Sequence, residues 1–416
     1  MTIESLLASG AIRTVGDILE QGEAAPPLAA FVLPRLGDYT PSFPEPGIYF
    51  DMDEDSYHAV PALSSSGIKA MASSPMLFWA KTPWLNPDYA DDKDAAEKEF
   101  RTLGRAYHCR ILEGKEAFDA RFCIGLDKAD YPDAIESTDD IKLAIANAGA
   151  MPVGRIGTGV FAANAKGSEK EVTRAPVKAD WIAQLLELDP SAQIWPVITK
   201  AYAEEHAGKS FISAEAYKRL AIAAMMIERD EELSKAFTGG YPEVSLFWHC
   251  PKTSVPMKAR VDYLKLKAMV DLKTTANQQE MSIERAIARE IAVRKYTIQP
   301  SVYFEGADEV RKLVREHGAK VVHGDEAQTA WALKWAKVQE PDQWCWIVQQ
   351  KGIAPVTRGL FYPRGGTTKM ITDDIVMTQK RRFLLCARLY DTSPWLDLAP
   401  IYDLADEDLP PWTSDI

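Results

Sequence analysis

The sequence predicts an α/β protein of the segregated, α+β-like kind, in which strands come in runs between groups of helices. Three strand-like runs, EVSLFW at 243–248, MKARVDYL at 257–264 and AMVDLKTT at 268–275, follow one another across short turns. Helical patterns stand on either side of them, AEAYKRLAIAAMMIERDEELSKAF before and SIERAIAREIAVRKY after. Short turns make an antiparallel meander the expected arrangement of the three strands. WCWIVQQKG and GLFYPRG are further strand candidates, and ITDDIVMTQKRRFLLCARLYD reads as an amphipathic helix. The chain shows no internal repeat.

Taken in order, residues 1–46 end in a proline-rich stretch and read as an N-terminal arm. Residues 47–136 form a helical part. There LSSSGIKAMASSPMLFWA at 63–80 offers serines as helix caps and a stop at Ser74-Pro75, and EKEFRTLGRAYHCRILEG carries His108 and ends at Gly114. Residues 137–210 read as an inserted module with two helix-like pieces, STDDIKLAIANAG and VKADWIAQLLELDPS. The Gly-rich MPVGRIGTGVFAANAKGSEK between them reads as a loop. Residues 211–416 hold the strands and the C-terminal helix.

A chain of 416 residues with 46% hydrophobic and 26% charged residues has ample material for a core. No apolar stretch is long enough to span a bilayer and no basic leader precedes one, so a cytoplasmic location is expected. Five cysteines, at 109, 123, 250, 345 and 386, form no Cys-x-x-Cys pair, which argues against a zinc ribbon, a cysteine-ligated cluster and a disulfide framework alike. A net charge of −12 argues against phosphate binding over the whole surface. The charge is segregated, however. Lys252, Lys258, Arg260, Lys265, Lys267 and Lys273 cluster along the meander, while acids gather at 51–55, 88–94 and 397–415, as a basic channel with an acidic exterior requires.

Asp271 and Lys273 alternate with Val270 and Leu272, which puts both charges on one face of a strand. If 263–269 forms the hairpin turn, Asp262 comes roughly opposite Asp271, and two facing carboxylates repel unless a cation lies between them. A hard divalent cation such as Mg²⁺ takes a few carboxylate oxygens, keeps waters and accepts phosphate oxygens. Lys273, one pleat along, is placed to orient an attacking water and stabilise charge on phosphorus. Glu243, at the start of the first strand, is a candidate for a further ligand or outer acceptor. Gln299 and Tyr303 are four apart and share a face if helical. Pro300 between them suits a first helical turn, with Thr297 as its cap.

The set Gly104…His108, Glu243, Arg260-Val261-Asp262, Asp271-Leu272-Lys273 and Gln299-x-x-x-Tyr303 resembles the PD-(D/E)XK nucleases of the RecB-like group. With YHAVPALSSSGIK at 57–69 and SPMLFWA at 74–80, it resembles most closely the RecE-type exodeoxyribonuclease VIII nuclease domain of phages and prophages, over roughly 48–412. The resemblance implies a restriction-endonuclease-like core, a central mixed β-sheet flanked by helices. It implies metal binding by His108, Asp262, Asp271 and the Leu272 carbonyl, with Lys273 as the catalytic lysine and Mn²⁺ able to replace Mg²⁺. The 137–210 segment also resembles, faintly, a SAP-like DNA-binding helix-loop-helix.

The expected activity is that of a metal-dependent double-strand DNA exonuclease, running 5′ to 3′ and leaving 3′ single-stranded tails. By the resemblance, its partners are duplex DNA with free ends and a RecT-like single-strand annealing protein, and its subunits form a ring-shaped homotetramer. The alternatives are an endonuclease or repair nuclease on the same core, or a non-cleaving DNA-binding scaffold.

Overall fold

The computed structural model describes residues 43–89, 95–163, 169–275, 277, 281–340, 342–351 and 355–396. Most of the expected N-terminal arm lies outside them. The described residues divide into two compact units, one within 43–89, 111–113 and 222–396, the other within 95–110 and 114–221.

In the first unit seven strands form one mixed sheet: β1 (Gly47–Tyr49), β2 (Gly240–His249), β3 (Pro256–Lys265), β4 (Ala268–Thr275), β5 (Val322–His323), β6 (Gln343–Gln350) and β7 (Thr357–Tyr362). Their order is β7-β6-β4-β3-β2-β1-β5. The meander β2-β3-β4 is antiparallel throughout, as its short turns require, whereas β6 lies parallel to β4 with Trp346 beside Asp271. That parallel pair needs a long crossover. Helices α2 (Ile283–Val293), α3 (Ile298–His317) and α4 (Glu326–Ala336) provide it, and α1 (Ser65–Ser73) and α5 (Thr367–Tyr390) complete the set used below.

The most deeply placed helix is α3. Ile298, Val302, Phe304, Ala307, Val310 and Val314 are buried together with Val244, Leu246 and Trp248 of β2 and Met257, Ala259 and Val261 of β3. Gly306 lets α3 come this close, because a Cβ there would lie 2.7 Å from the indole of Trp248. That ring is pinned in turn. Its Nε1 donates to Glu305 at 3.0 Å, and Glu305 also receives the buried Lys380 of α5 at 2.7 and 2.8 Å.

The alternation of β2 and β3 slips once. On β3, Met257, Ala259 and Val261 face the main core, Tyr263 belongs to a second cluster with Val270 and Leu272, and Leu264 faces the main core again. On β2 the main core takes Tyr241 and then Val244, Leu246 and Trp248. The pairing steps from Pro242↔Tyr263 to Val244↔Val261 and passes over Glu243 and Asp262. Glu243 sits there at φ 51°, a left-handed conformation costly for a residue with a Cβ. Irregularities of this kind re-aim side chains.

The second unit contains the segment expected as an insertion together with the helix that carries His108. Its helices Thr138–Asn147 and Lys178–Leu188 match the two helix-like pieces and bury Ile141, Ile145 and Leu185 with Ile194. Ser137 caps the first, accepting the Asp140 amide at 3.0 Å. The Gly-rich stretch expected to be a loop is instead a β-hairpin, Ile156–Ala163 against Glu169–Arg174. Its Ile156, Thr158 and Val160 carry the β-branched alternation that the glycines hide, and Gly159, at φ 71°, sits where the register shifts.

Candidate active site

Asp271 is 1% exposed, on the interior strand β4 between β3 and β6. Burying a carboxylate so deeply demands partners. Two side chains provide them. Lys273 Nζ donates to Oδ1 at 2.8 Å and lies 2.7 Å from Oδ2. Gln299 Nε2, from the first turn of α3, donates to Oδ1 as well. Oδ2 makes no aligned hydrogen bond among the described residues, but the ammonium of Lys273 stands against it as the counter-ion.

Asp262 reaches the same place from β3. The β3–β4 ladder pairs Leu264 with Met269 and Tyr263 with Val270, while β4 stays paired with β6 along its whole length. At the end of that ladder the carboxylate of Asp262 takes the Leu272 amide at 2.8 Å. The turn is tighter than the 263–269 expected, since Tyr263 and Leu264 are both paired, and Asp262 comes to β4 through its side-chain bond to the Leu272 backbone.

Lys273 is the electrostatic hinge of the group. Burial pushes its pKa down, but the carboxylates of Asp271 and Asp262 and the hydrogen bond to Asp271 outweigh it and hold the ammonium above the ordinary lysine range. Its Nζ also lies 5.4 Å from the centre of the Tyr296 ring.

Gln299 and Tyr303 lie on one face of α3, as their spacing requires. Pro300 sits in the first turn between them, where its missing N–H costs nothing. Thr297 does not cap the helix: its own backbone is already helical, and its hydroxyl meets that of Thr372 at 3.3 Å. The Tyr303 hydroxyl donates to the Arg260 carbonyl at 2.8 Å. Burial, reinforced by Tyr57 and the two aspartates, raises its pKa well above the phenol range. Tyr303 thus fastens α3 to β3 beside Asp262.

Glu243 is engaged by Arg260, whose Nε donates to Oε2 at 2.6 Å and whose Nη1 donates to the Met52 carbonyl at 2.7 Å. His108 belongs to the second unit, where it is half-buried at the end of the helix Ala95–His108. Leu272 is wholly buried in the sheet.

Lys69 and Tyr296 escaped the sequence-based reading. Lys69 Nζ lies 5.0 Å from the centre of the same Tyr296 ring that Lys273 approaches. Nothing in a sequence separation of some two hundred residues announces that meeting.

The carboxylates of Asp262 and Asp271 are the hard-oxygen donors that suit a divalent cation able to keep several waters, with Lys273 at present the counter-ion of Asp271. Among the described residues no three His, Cys, Asp or Glu side chains cluster tightly enough to form a complete metal cage.

A family model described as a PDDEXK-like domain of unknown function (DUF3799) matches residues 180–317, the span that contains Glu243, Asp262, Asp271, Lys273, Gln299 and Tyr303. The core is PDDEXK-like, a seven-stranded mixed sheet flanked by helices. No curated protein matches the chain. One solved structure similar to it is an Eubacterium rectale protein described provisionally as an exonuclease. It is 14% identical, with a TM-score of 0.36 over 78% of this chain and 81% of that one. At that distance the likeness speaks to neither fold nor chemistry. Among the described residues no helix is long and apolar enough to cross a membrane.

Proposed function

We propose that the protein is a metal-dependent deoxyribonuclease, acting as an exonuclease on linear duplex DNA in the 5′ to 3′ direction. The observation that carries the nuclease reading is the convergence of Asp262, Asp271 and Lys273 at the end of the β3–β4 ladder, inside the span matched by the PDDEXK-like model. Polarity, the 3′ tails, a RecT-like annealing partner and a ring-shaped tetramer rest on the sequence resemblance to RecE-type domains.

Asp262 and Asp271 would hold Mg²⁺ or Mn²⁺ with the Leu272 carbonyl, and His108 is the further ligand that the resemblance assigns. Such an ion, when bound, polarises the phosphodiester and lowers the pKa of a coordinated water. The remaining work falls to side chains. Gln299 fixes the rotamer of Asp271 by holding Oδ1. Lys273, an ammonium on a strand, orients the attacking water and stabilises the negative charge that grows on phosphorus. Tyr303 keeps α3, and with it Gln299, in register with β3.

The test is digestion of end-labelled linear and covalently closed duplex DNA with Mg²⁺, Mn²⁺ or chelator, by wild type and Lys273→Met. Loss of the 5′ label from linear DNA only, dependent on metal and reduced by about 10²–10³ in the variant, is the expected result. Nicking of closed circles would replace the exonuclease by an endonuclease. Equal cleavage by the variant would remove the site.

A further inference from the structure

We propose that Lys69 is a substrate-binding residue of this site, a second cation that receives a phosphate of the nucleic-acid strand beside Lys273. The proposal rests on the nuclease reading above and adds to it a residue from α1, far outside the span matched by the family model.

Lys69 lies in the first helix after Ser64, whose hydroxyl accepts the Gly67 amide at 3.2 Å and fixes where that helix begins. Ile68 and Met71 are wholly buried in the main core, so the helix has no freedom to turn Lys69 elsewhere. Its ammonium is carried to the Tyr296 ring, 5.0 Å from the centroid, while that of Lys273 stands 5.4 Å from the same centroid.

The two lysines differ in one respect. Lys273 has Asp271 as its counter-ion at 2.7 Å. Lys69 has neither a carboxylate partner nor a hydrogen-bond acceptor for Nζ among the described residues, although it is only half-exposed. A cation-π contact offsets only part of the cost of desolvating an ammonium. The electrostatics agree: burial first, then the neighbouring Lys273 and Arg294, lower the Lys69 pKa to about 8 against the pull of Asp271. A fold that carries an unpaired cation to the edge of an acidic centre leaves a place for an anion. The anion that the proposed chemistry brings there is phosphate, with oxygens that take the donors of a lysine as a point charge.

The test compares wild type, Lys69→Met and Lys69→Arg in two readouts. The first is binding of a fluorescent linear duplex in chelator across a salt series, with either a 5′-phosphate or a 5′-hydroxyl end. The second is the steady-state split between KM and kcat with metal. Lys69→Met keeps the stem that packs and removes only the charge. It should weaken binding and flatten the slope of log affinity against log salt by about 0.9, the share of one phosphate contact. KM should rise, and Lys69→Arg should restore the slope. A loss on both duplexes assigns the contact to a backbone phosphate, and a loss confined to the phosphorylated one assigns it to the terminal group. An unchanged slope in Lys69→Met, with cleavage intact in wild type, overturns this proposal alone. Failure of the wild type to bind or cleave DNA overturns the nuclease reading and this proposal with it.

Discussion

Asp262 accepts the Leu272 amide at 2.8 Å where the two strands that bear them stop pairing. One carboxylate therefore does a structural task and is placed for a chemical one, and the two are separable. Asp262→Asn keeps an oxygen for the amide but loses the charge, so its melting temperature should stay near wild type while cleavage disappears. Asp262→Ala should lose both, with stability lower by about 1–3 kcal/mol for a buried N–H left without an acceptor. Urea unfolding beside a nuclease assay distinguishes them. Equal stability of the two variants would sever the link.

Gln299 touches Asp271 through Oδ1 and is itself buried. Gln299→Leu fills the same space without the donor, so Asp271 loses its orientation. Turnover should fall about 10–100-fold, the range for removing a group that steers a metal ligand. Metal titration followed by the fluorescence of the neighbouring tryptophans should show weaker binding. Unchanged turnover would mean that Lys273 alone holds the carboxylate.

Lys258 of β3 is buried, and its Nζ donates to the carbonyls of Tyr57, His58 and Val60 at 2.9, 3.0 and 2.8 Å. Burial lowers its pKa from 10.5 to about 7. Between those values the unfolded chain holds more protons at this residue than the folded chain does, so its contribution makes stability rise as pH climbs through that window. Lys258→Met should be less stable at neutral pH by about 1–3 kcal/mol, because three carbonyls lose their donor. The gap to wild type should widen towards pH 10.5, read as the difference between their urea midpoints. A gap that narrows would contradict the sign.

Gly306→Ala opposes two effects. Alanine favours a helix interior by about 1 kcal/mol over glycine. The added Cβ would meet Trp248 at 2.7 Å, and that ring, tied to Glu305, cannot step aside. Overpacking typically costs about 1–3 kcal/mol, so the net change should be destabilising. Calorimetry would show a lower melting temperature, and a higher one would mean that the ring moves freely.

What the sequence revealed follows what is periodic or adjacent. The meander, the C-terminal helix and both helices around the Gly-rich segment were legible from apolar spacing. So was the neighbourhood of Asp271, Lys273 and Asp262, because a short turn brings them together. Gln299 and Tyr303 were legible as a pair through their spacing of four, though not which atoms they hold. Strands β1 and β5 are too short to carry a period. The hairpin at 156–174 was masked by its glycines. The capture of Glu243 by Arg260 depends on a left-handed residue that no alternation predicts. Lys69, inside LSSSGIK, drew no reading at all, because its meeting with Tyr296 is made by tertiary packing.

The slip at Glu243 and Asp262 resembles a dislocation in a crystal. Removing one residue from each strand would let the apolar pattern run on in phase, with Tyr241 two places from Val244 and Val261 two places from Leu264. The sheet would then be more regular and its core intact. What would vanish is the row that carries Asp262. The carboxylate thus occupies a phase boundary between two well-ordered lattices, where the strands have spare backbone to lend. A compensated double deletion is the alteration that this fold should survive and this chemistry should not.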